Sequence, residues 1–407
     1  MKSTFRTILF WMHLISGLVA GIIIGIMSLT GAALAFESEL IQWADGDTRH
    51  VKVPMPEAAR LPVDELLARG RAARPAVQPT GVTVYADPAS AVLVSTGRNS
   101  GVYVNPYTGE VREQGGKRMR AFMHTMVEWH RWLGTSEDHR ALGRGITGVC
   151  NVAFLFLAVS GLYLWWPRKW TWRAVRPVLW FKGGLKGKAR DFNWHNSAGF
   201  WAMPVLVVVT ASGMVISYKA VADFIYTLTG TEPPANAGPS AQAAKVPEPP
   251  AGATPLSMDA LFAEAQKQVP AWESISLRMG GGQRGGGPRE AGPRGPQPGA
   301  QTFSIKEQEA WPLFASAQLS LNPFTAEVLR RETFADYNSG RKIRSWLRFL
   351  HTGQALGWAG QLVAGLASLA GAFLMWTGFT LSWRRFFRRR STGAPAEQTP
   401  EQSTVIS

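Results

Sequence analysis

The sequence predicts an α-helical integral membrane protein with four transmembrane helices. They are arranged as two tandem copies of a membrane span, a small extracytoplasmic α+β domain and a second span. Four apolar blocks lie at about residues 9–36, 144–166, 194–217 and 352–382. Each block reaches the roughly 20 residues that an α-helix needs to cross a bilayer. Long polar segments follow the first and third blocks, and these two segments share a short motif.

The alternation of apolar and polar blocks sets the expected domain boundaries. We expect helix 1 at 1–36, a first outer domain at 37–120, the outer entry and helix 2 at 121–167, a basic loop at 168–191, helix 3 at 192–218, a second outer domain at 219–342 with a Gly/Pro-rich insert at 279–299, helix 4 at 343–383 and a basic tail at 384–407. The first apolar block exceeds the ~7–15 residues of a signal-peptide core. We therefore expect it to remain as an anchor.

The net charge of +15 is distributed according to topology. Basic residues precede the first span, fill the loop between the second and third spans, and follow the fourth. The positive-inside rule therefore places both termini and the middle loop in the cytoplasm. The two long loops are then periplasmic, and the expected location is a bacterial inner membrane, in contact with lipid. Because topology explains the basic excess, nucleic-acid binding is not expected.

The two outer segments have patterns typical of small α+β domains. Helix starts lie near Pro62 and Ser257, and alternating or β-branched runs at 81–85, 91–95 and 275–278 indicate strands. A hairpin is expected at 101–111.

A duplication explains the similarity between the two halves of the chain. Asn105-Pro-Tyr-Thr-Gly-Glu-Val in the first half matches Asn322-Pro-Phe-Thr-Ala-Glu-Val in the second. His13 and His195 each have glycines four and eighteen residues later. Two copies with the same topology predict a pseudo-two-fold axis along the membrane normal.

Four histidines, His13, His130, His195 and His351, lie near the ends of the apolar blocks. Three of them are followed four residues later by a glycine, which in a helix shares their face; these glycines are Gly17, Gly134 and Gly199. A glycine at this position leaves room for a bulky group beside the imidazole.

Topology and duplication arrange the four histidines as two pairs. His13 and His195 are expected at one depth near the cytoplasm, and His130 and His351 at another near the outer surface. Two imidazoles facing each other between helices suit the two axial positions of haem iron. The only cysteine is Cys150 and no CxxCH motif occurs, so covalent c-type attachment is excluded and two b-type haems are expected.

Other roles for these histidines fit the sequence less well. Interhelical hydrogen bonding explains single membrane histidines, but not four residues paired by depth. Two imidazoles per level without a carboxylate or thiolate cluster make a poor zinc site. A proton relay would normally include carboxylates inside the spans.

The histidine His124, six residues before His130, remains an alternative outer ligand or a neighbour of the cofactor. Arginines near the outer histidines either pair with haem propionates or anchor the helices at the interface; they are Arg131, Arg144, Arg344 and Arg348.

The motifs resemble those of the PepSY-associated transmembrane family. The resemblance rests on segments 10–17, 29–31, 129–134, 194–199 and 350–353, and on the Asn-Pro-(Tyr/Phe)-Thr-x-Glu-Val turns. It covers about residues 1–385 and implies two PepSY-like outer domains. It also implies haem ligation by His13, His195, His130 and His351. The insert and Ala326, in place of Gly109 of the first copy, depart from the pattern.

The resemblance implies an oxidoreductase of the ferric-siderophore reductase type. The expected acceptor is a ferric siderophore or another periplasmic compound, and the donor is a quinol or a cytoplasmic flavoprotein. Two alternatives remain open: a membrane-anchored PepSY protein that binds or regulates a partner such as a peptidase, and a haem-b subunit serving another periplasmic reductase.

Overall fold

The computed structural model of the chain describes residues 2–97, 100–166, 171–233, 244, 246–248, 252–279 and 299–387. The expected insert, apart from its two end residues, and the basic tail from residue 388 lie outside these ranges. The described helices are α1 (Lys2–Leu34), α2 (Glu37–Arg49), α3 (Val63–Ala73), α4 (Lys117–Trp132), α5 (Arg140–Trp165), α6 (Trp172–Leu179), α7 (Gly187–Ser217), α8 (Lys219–Leu228), α9 (Met258–Gln268), α10 (Ser339–His351) and α11 (Gly357–Phe386).

The described strands form one antiparallel sheet. They are β1 (Gly81–Tyr85), β2 (Val92–Gly97), β3 (Ser100–Val104), β4 (Val111–Glu113), β5 (Trp272–Arg278), β6 (Gln301–Glu307), β7 (Ala317–Leu321) and β8 (Val328–Glu332). Their order is β4-β3-β2-β1-β5-β6-β7-β8, so β1 and β5 join the two halves of the chain. The structure thus merges the two expected outer domains into one continuous sheet.

The sheet has one apolar face and one polar face, as alternating strand sequences require. Helices α3 and α9 cover the apolar face, where Val94, Ile275 and Leu319 belong to a single buried core. The two helices also cap each other: Asp259 accepts from the Val63 backbone N–H at 2.6 Å, and Asp64 accepts from that of Asp259 at 3.1 Å. The polar face lies above the membrane helices.

Helices α1, α5, α7 and α11 form a four-helix bundle, and each is apolar and long enough to cross a membrane. Around the bundle, α1 contacts α5 and α11, and α7 contacts the same two helices. Small residues such as Ala20, Ala198 and Ala367 lie at these interfaces, where they let membrane helices approach closely. We call the two surfaces of the bundle the sheet side and the opposite side.

Helices α4 and α10 lie between the sheet and the bundle and carry the two outer histidines near their ends. The segment 343–383, expected as one helix, is divided into α10 and α11. Gly353 and Gly357, with φ of 78° and 60°, produce the break because this backbone region suits glycine.

The two Asn-Pro turns share the same hydrogen bonds from backbone to the asparagine side chain. The side chains of Asn105 and Asn322 each accept from the backbone N–H two residues later at 2.9 Å. Gly109 has φ +70° and Ala326 has φ +58°, so the substitution keeps the left-handed conformation.

Candidate cofactor site

The structure brings His130 and His351 together on the sheet side of the bundle. Their ring centroids are 6.3 Å apart and their planes are inclined by 59°. His130 Nδ1 lies 2.9 Å from the carbonyl oxygen of Met27 on α1, and His351 Nδ1 lies 2.8 Å from that of Val209 on α7. A carbonyl oxygen only accepts, so each Nδ1 donates its proton. Each Nε2 is therefore unprotonated in the neutral ring and free to bind a metal.

The separation of the outer rings matches the two axial positions of one metal ion. An imidazole nitrogen binds a first-row transition metal at about 2.0 Å, and the ring centroid lies ~1.1 Å behind that nitrogen. Two rings on opposite sides of one ion would then have centroids about 6.2 Å apart. The observed 6.3 Å agrees with this value.

The pair near the opposite side, His13 and His195, is oriented in the same way. Thr377 Oγ1 donates to the Phe373 carbonyl at 2.9 Å, and His195 Nδ1 lies 2.9 Å from this hydroxyl. The hydroxyl therefore accepts from Nδ1, which again leaves Nε2 free. His13 Nδ1 lies 2.8 Å from Ser160 Oγ, and this hydroxyl donates to the Leu157 carbonyl at 3.4 Å.

Each histidine contacts a Ser/Thr-Gly dipeptide on a neighbouring helix. The dipeptides are Thr30-Gly31, Ser160-Gly161, Ser212-Gly213 and Thr377-Gly378, which face His130, His13, His351 and His195 respectively. The hydroxyl lies beside Nδ1, at 2.8 to 3.4 Å, and the glycine leaves space for the ring. Sequence reasoning missed this role, because Ser/Thr-Gly dipeptides also occur in the spans at Ser16-Gly17 and Thr147-Gly148, and spacing alone does not single out the four that face the histidines.

The glycines four residues after the histidines have other neighbours. A Cβ at Gly17 would meet Leu157 at 3.8 Å, and one at Gly199 would meet Leu374 at 3.5 Å. Gly134 has φ +68° and follows the left-handed residue that ends α4. The shared-face argument therefore fails for Gly134, because the helix stops at Trp132.

The structure separates His124 from the outer pair. Its side chain is 63% exposed, and its Nε2 lies 3.7 Å from Glu128. Of the two candidates on α4, only His130 faces His351.

A cavity of about 820 Å³ extends from the middle of the bundle, past the outer pair, to the polar face of the sheet. Asn151 and Phe154 line its inner part, and Thr302, Gln318 and Ser320 line its upper part. The four arginines singled out in the sequence also line it: Arg131, Arg144, Arg344 and Arg348.

The donor set fits a metal whose remaining ligands come from a macrocycle. Within the described ranges, no group of three or more His, Cys, Asp or Glu residues is placed to hold a metal ion. Two oriented imidazoles per level would supply two ligands, and a porphyrin would supply the remaining four.

A comparison with protein families identifies the chain. Residues 10–385 match the model of the PepSY-associated transmembrane region, and no curated protein matches the sequence. With the four apolar helices, this match confirms the expected α-helical, multi-pass membrane protein. The chain therefore belongs to the PepSY-associated transmembrane family.

Proposed function

We propose that the chain is a di-haem b protein that carries electrons across the membrane. His130 and His351 would hold one haem, and His13 and His195 the other. The observation that carries this proposal is the outer pair, with rings 6.3 Å apart and both Nδ1 atoms committed to backbone carbonyls. At the second depth, the hydroxyl groups of Ser160 and Thr377 lie 2.8 and 2.9 Å from the Nδ1 atoms of His13 and His195.

The residues of the chain prepare each site before any cofactor binds. Hydrogen bonds at Nδ1 fix the ring orientation and tautomer, and they make Nε2 a stronger ligand. Packing around Leu206 and Leu374 keeps the interior of the bundle apolar. A bound haem supplies reversible one-electron chemistry, and its potential depends on the axial ligands and on burial.

The proposal also covers the orientation of the protein in the membrane and the origin of its two halves. The basic segments favour a cytoplasmic location for the opposite side and for both termini, in a bacterial inner membrane. The mirrored strand order and the equivalent Asn105 and Asn322 turns support two PepSY-like units produced by duplication. Electrons would then move from the cytoplasmic side towards the periplasm.

A ferric siderophore is the proposed acceptor, which makes the protein an oxidoreductase. The cavity beside His130 and His351 opens towards the polar face of the sheet, where an acceptor could approach the outer pair. Reduction to Fe(II) weakens chelation by hard oxygen ligands, and so releases the metal. The donor would be a quinol or a separate flavoprotein.

Absorption spectroscopy combined with rapid mixing tests this function. Protein purified from haem-replete cells should show a bis-histidine b-type spectrum, and the dithionite-reduced form should be reoxidised by a ferric siderophore. Colourless protein would favour a non-redox interaction protein. Reduced protein that is not reoxidised by ferric chelates would instead favour a haem subunit of another reductase.

A further inference from the structure

The cavity on the sheet side has an excess of positive charge. Its lining arginines are Arg131, Arg144, Arg330, Arg341, Arg344 and Arg348, whereas its lining carboxylates are Glu37 and Glu332. Six cations against two anions leave an excess of four positive charges. The two propionates of a haem at the outer pair would neutralise two of these charges. We call this cavity the chamber; its lining therefore keeps an excess of two positive charges even with the cofactor in place.

Most of the positive charge that lines the cavity belongs to the second half of the chain. When α4 and α10 are aligned on His130 and His351, Arg344 corresponds to Met123 and Arg348 corresponds to Val127. Met123 is fully buried, so the equivalent helix of the first half uses an apolar residue at that position. Helix packing at this level thus does not require arginine.

The strands show the same difference between the halves. When the two Asn-Pro turns are aligned, Arg330 of β8 corresponds in sequence to Glu113 of β4. Glu113 pairs with Arg74 outside the cavity. At this position the second half therefore has a cation that lines the chamber, whereas the first half has an anion that lies outside it.

Among the described residues, the side chains of Arg344 and Arg348 make neither an ion pair nor a hydrogen bond; the guanidinium of Arg348 lies 5.7 Å from the ring centroid of Phe349. Arg144 also lacks a carboxylate partner, but it donates to the backbone carbonyls of Ile216 and Ser217 at 3.5 and 2.7 Å. By contrast, Arg330 and Arg341 both bind Glu332, at 3.1 and 2.7 Å. Guanidinium groups without a partner are suited to anionic oxygens, which they bind with two parallel hydrogen bonds.

We propose that the chamber selects a multiply anionic ferric chelate, with catecholate or carboxylate oxygens, and that Arg344 and Arg348 bind it. This inference rests on the proposed function and names its substrate class. The hydroxyl groups of Thr302 and Ser320 on the sheet face the same space. They share one hydrogen bond of 3.0 Å, which leaves one hydroxyl hydrogen for a ligand. One electron from the quinol or reduced flavin donor converts chelated Fe(III) to Fe(II), and no bond to the protein forms or breaks.

Equilibrium binding tests the charge preference without any redox step. Gallium(III) has a charge and coordination like those of iron(III) but is not reduced by the protein. Calorimetry on the purified holoprotein in neutral detergent should show tight binding of a gallium tris-catecholate trianion. The monocationic gallium chelate of desferrioxamine B should bind at least about tenfold more weakly, since charge-assisted hydrogen bonds are lost. The trianion should also bind more weakly at high salt.

Replacing arginines by the residues of the first half identifies the binding groups. Arg344→Met and Arg348→Val should each weaken trianion binding about tenfold or more. Arg331→Met is the matched control, because Arg331 is exposed on β8 and does not line the cavity. An unchanged haem spectrum shows that a variant has folded.

Three results would overturn the charge-selective chamber. The first is equal affinity for the two gallium chelates. The second is that Arg331→Met weakens trianion binding as much as Arg344→Met and Arg348→Val do. The third is displacement of the trianion by phosphatidylglycerol, which would assign the arginines to lipid headgroups. Because gallium binding needs no electron transfer, these results are distinct from a failure of the proposed function. That failure would show as absent haem or as absent reoxidation by ferric chelates.

Discussion

Substituting Gly31 by alanine should loosen the outer cofactor site and leave the inner one intact. A Cβ at this position would lie 3.2 Å from Cε1 and 3.6 Å from Nδ1 of His130. Non-bonded carbon atoms settle at about 3.5–4.0 Å, so the ring must move by ~0.3–0.8 Å. That movement competes with the hydrogen bond from Nδ1 to the Met27 carbonyl, which is 2.9 Å long.

The cost of this displacement sets the expected effect on cofactor binding. Overpacking by one methyl group costs about 1–3 kcal/mol. Haem affinity at the outer site should therefore fall by about 5–150-fold. The inner pair lies at another depth, so its affinity should not change.

Gly25→Ala is the matched control on the same helix. Its Cβ would lie 4.0 Å from the nearest atom, Met375 Cβ, which is an ordinary contact. Both substitutions bring the same gain of about 1 kcal/mol in helix propensity, so their difference isolates the contact with His130.

The assay is haem release to excess apomyoglobin, followed by absorbance. Wild type and Gly25→Ala should lose both haems slowly, whereas Gly31→Ala should lose one rapidly. Equal release by Gly31→Ala and Gly25→Ala would refute the placement of His130 as a ligand held against Gly31.

Three further predictions concern the outer part of the molecule. Ala326→Gly should stabilise the sheet by about 0.5–1 kcal/mol, because glycine relieves a left-handed φ. Gly109→Ala should destabilise it, since Gly109 has φ +70°, and thermal melts in detergent compare the two. Asp45→Asn should cost about 3 kcal/mol, because it leaves the mostly buried Arg120 without the charge it pairs with; the melting temperature should fall, and an unchanged value would contradict this pairing. His124→Ala should keep two haems per chain, as counted by the pyridine haemochrome method, and the loss of one would make His124 a ligand.

The membrane part of the fold could be predicted from the sequence because long apolar runs identify spans. Blocks expected at 9–36 and 194–217 end within two residues of α1 and α7. Both helices begin seven residues before the expected block, because polar and basic residues extend the helix beyond the apolar block. Local turn signals also placed the β3–β4 hairpin.

Contacts between distant segments could not be predicted. Pairing of β1 with β5 joins residues almost 200 positions apart, and neither strand sequence specifies its neighbour. Strand β6 follows the Gly/Pro-rich insert and was not expected, although residues 302–306 alternate between polar and apolar side chains.

The sequence predicted which residues form the candidate site better than it predicted the contacts of those residues. Spacing and duplication single out the four histidines, and the structure places His130 beside His351. The groups that hold their Nδ1 atoms belong to other helices, such as Met27 on α1 and Val209 on α7. Helix packing decides these contacts, so sequence spacing within one helix could not reveal them.

Haem stoichiometry in paired double variants tests the central claim most directly. If His130 and His351 share one haem while His13 and His195 share the other, a double alanine variant within either pair keeps one haem per chain. A double variant across the pairs, such as His13→Ala with His351→Ala, keeps none. One haem retained by the cross-pair variant, or none retained by the within-pair variants, would contradict the account.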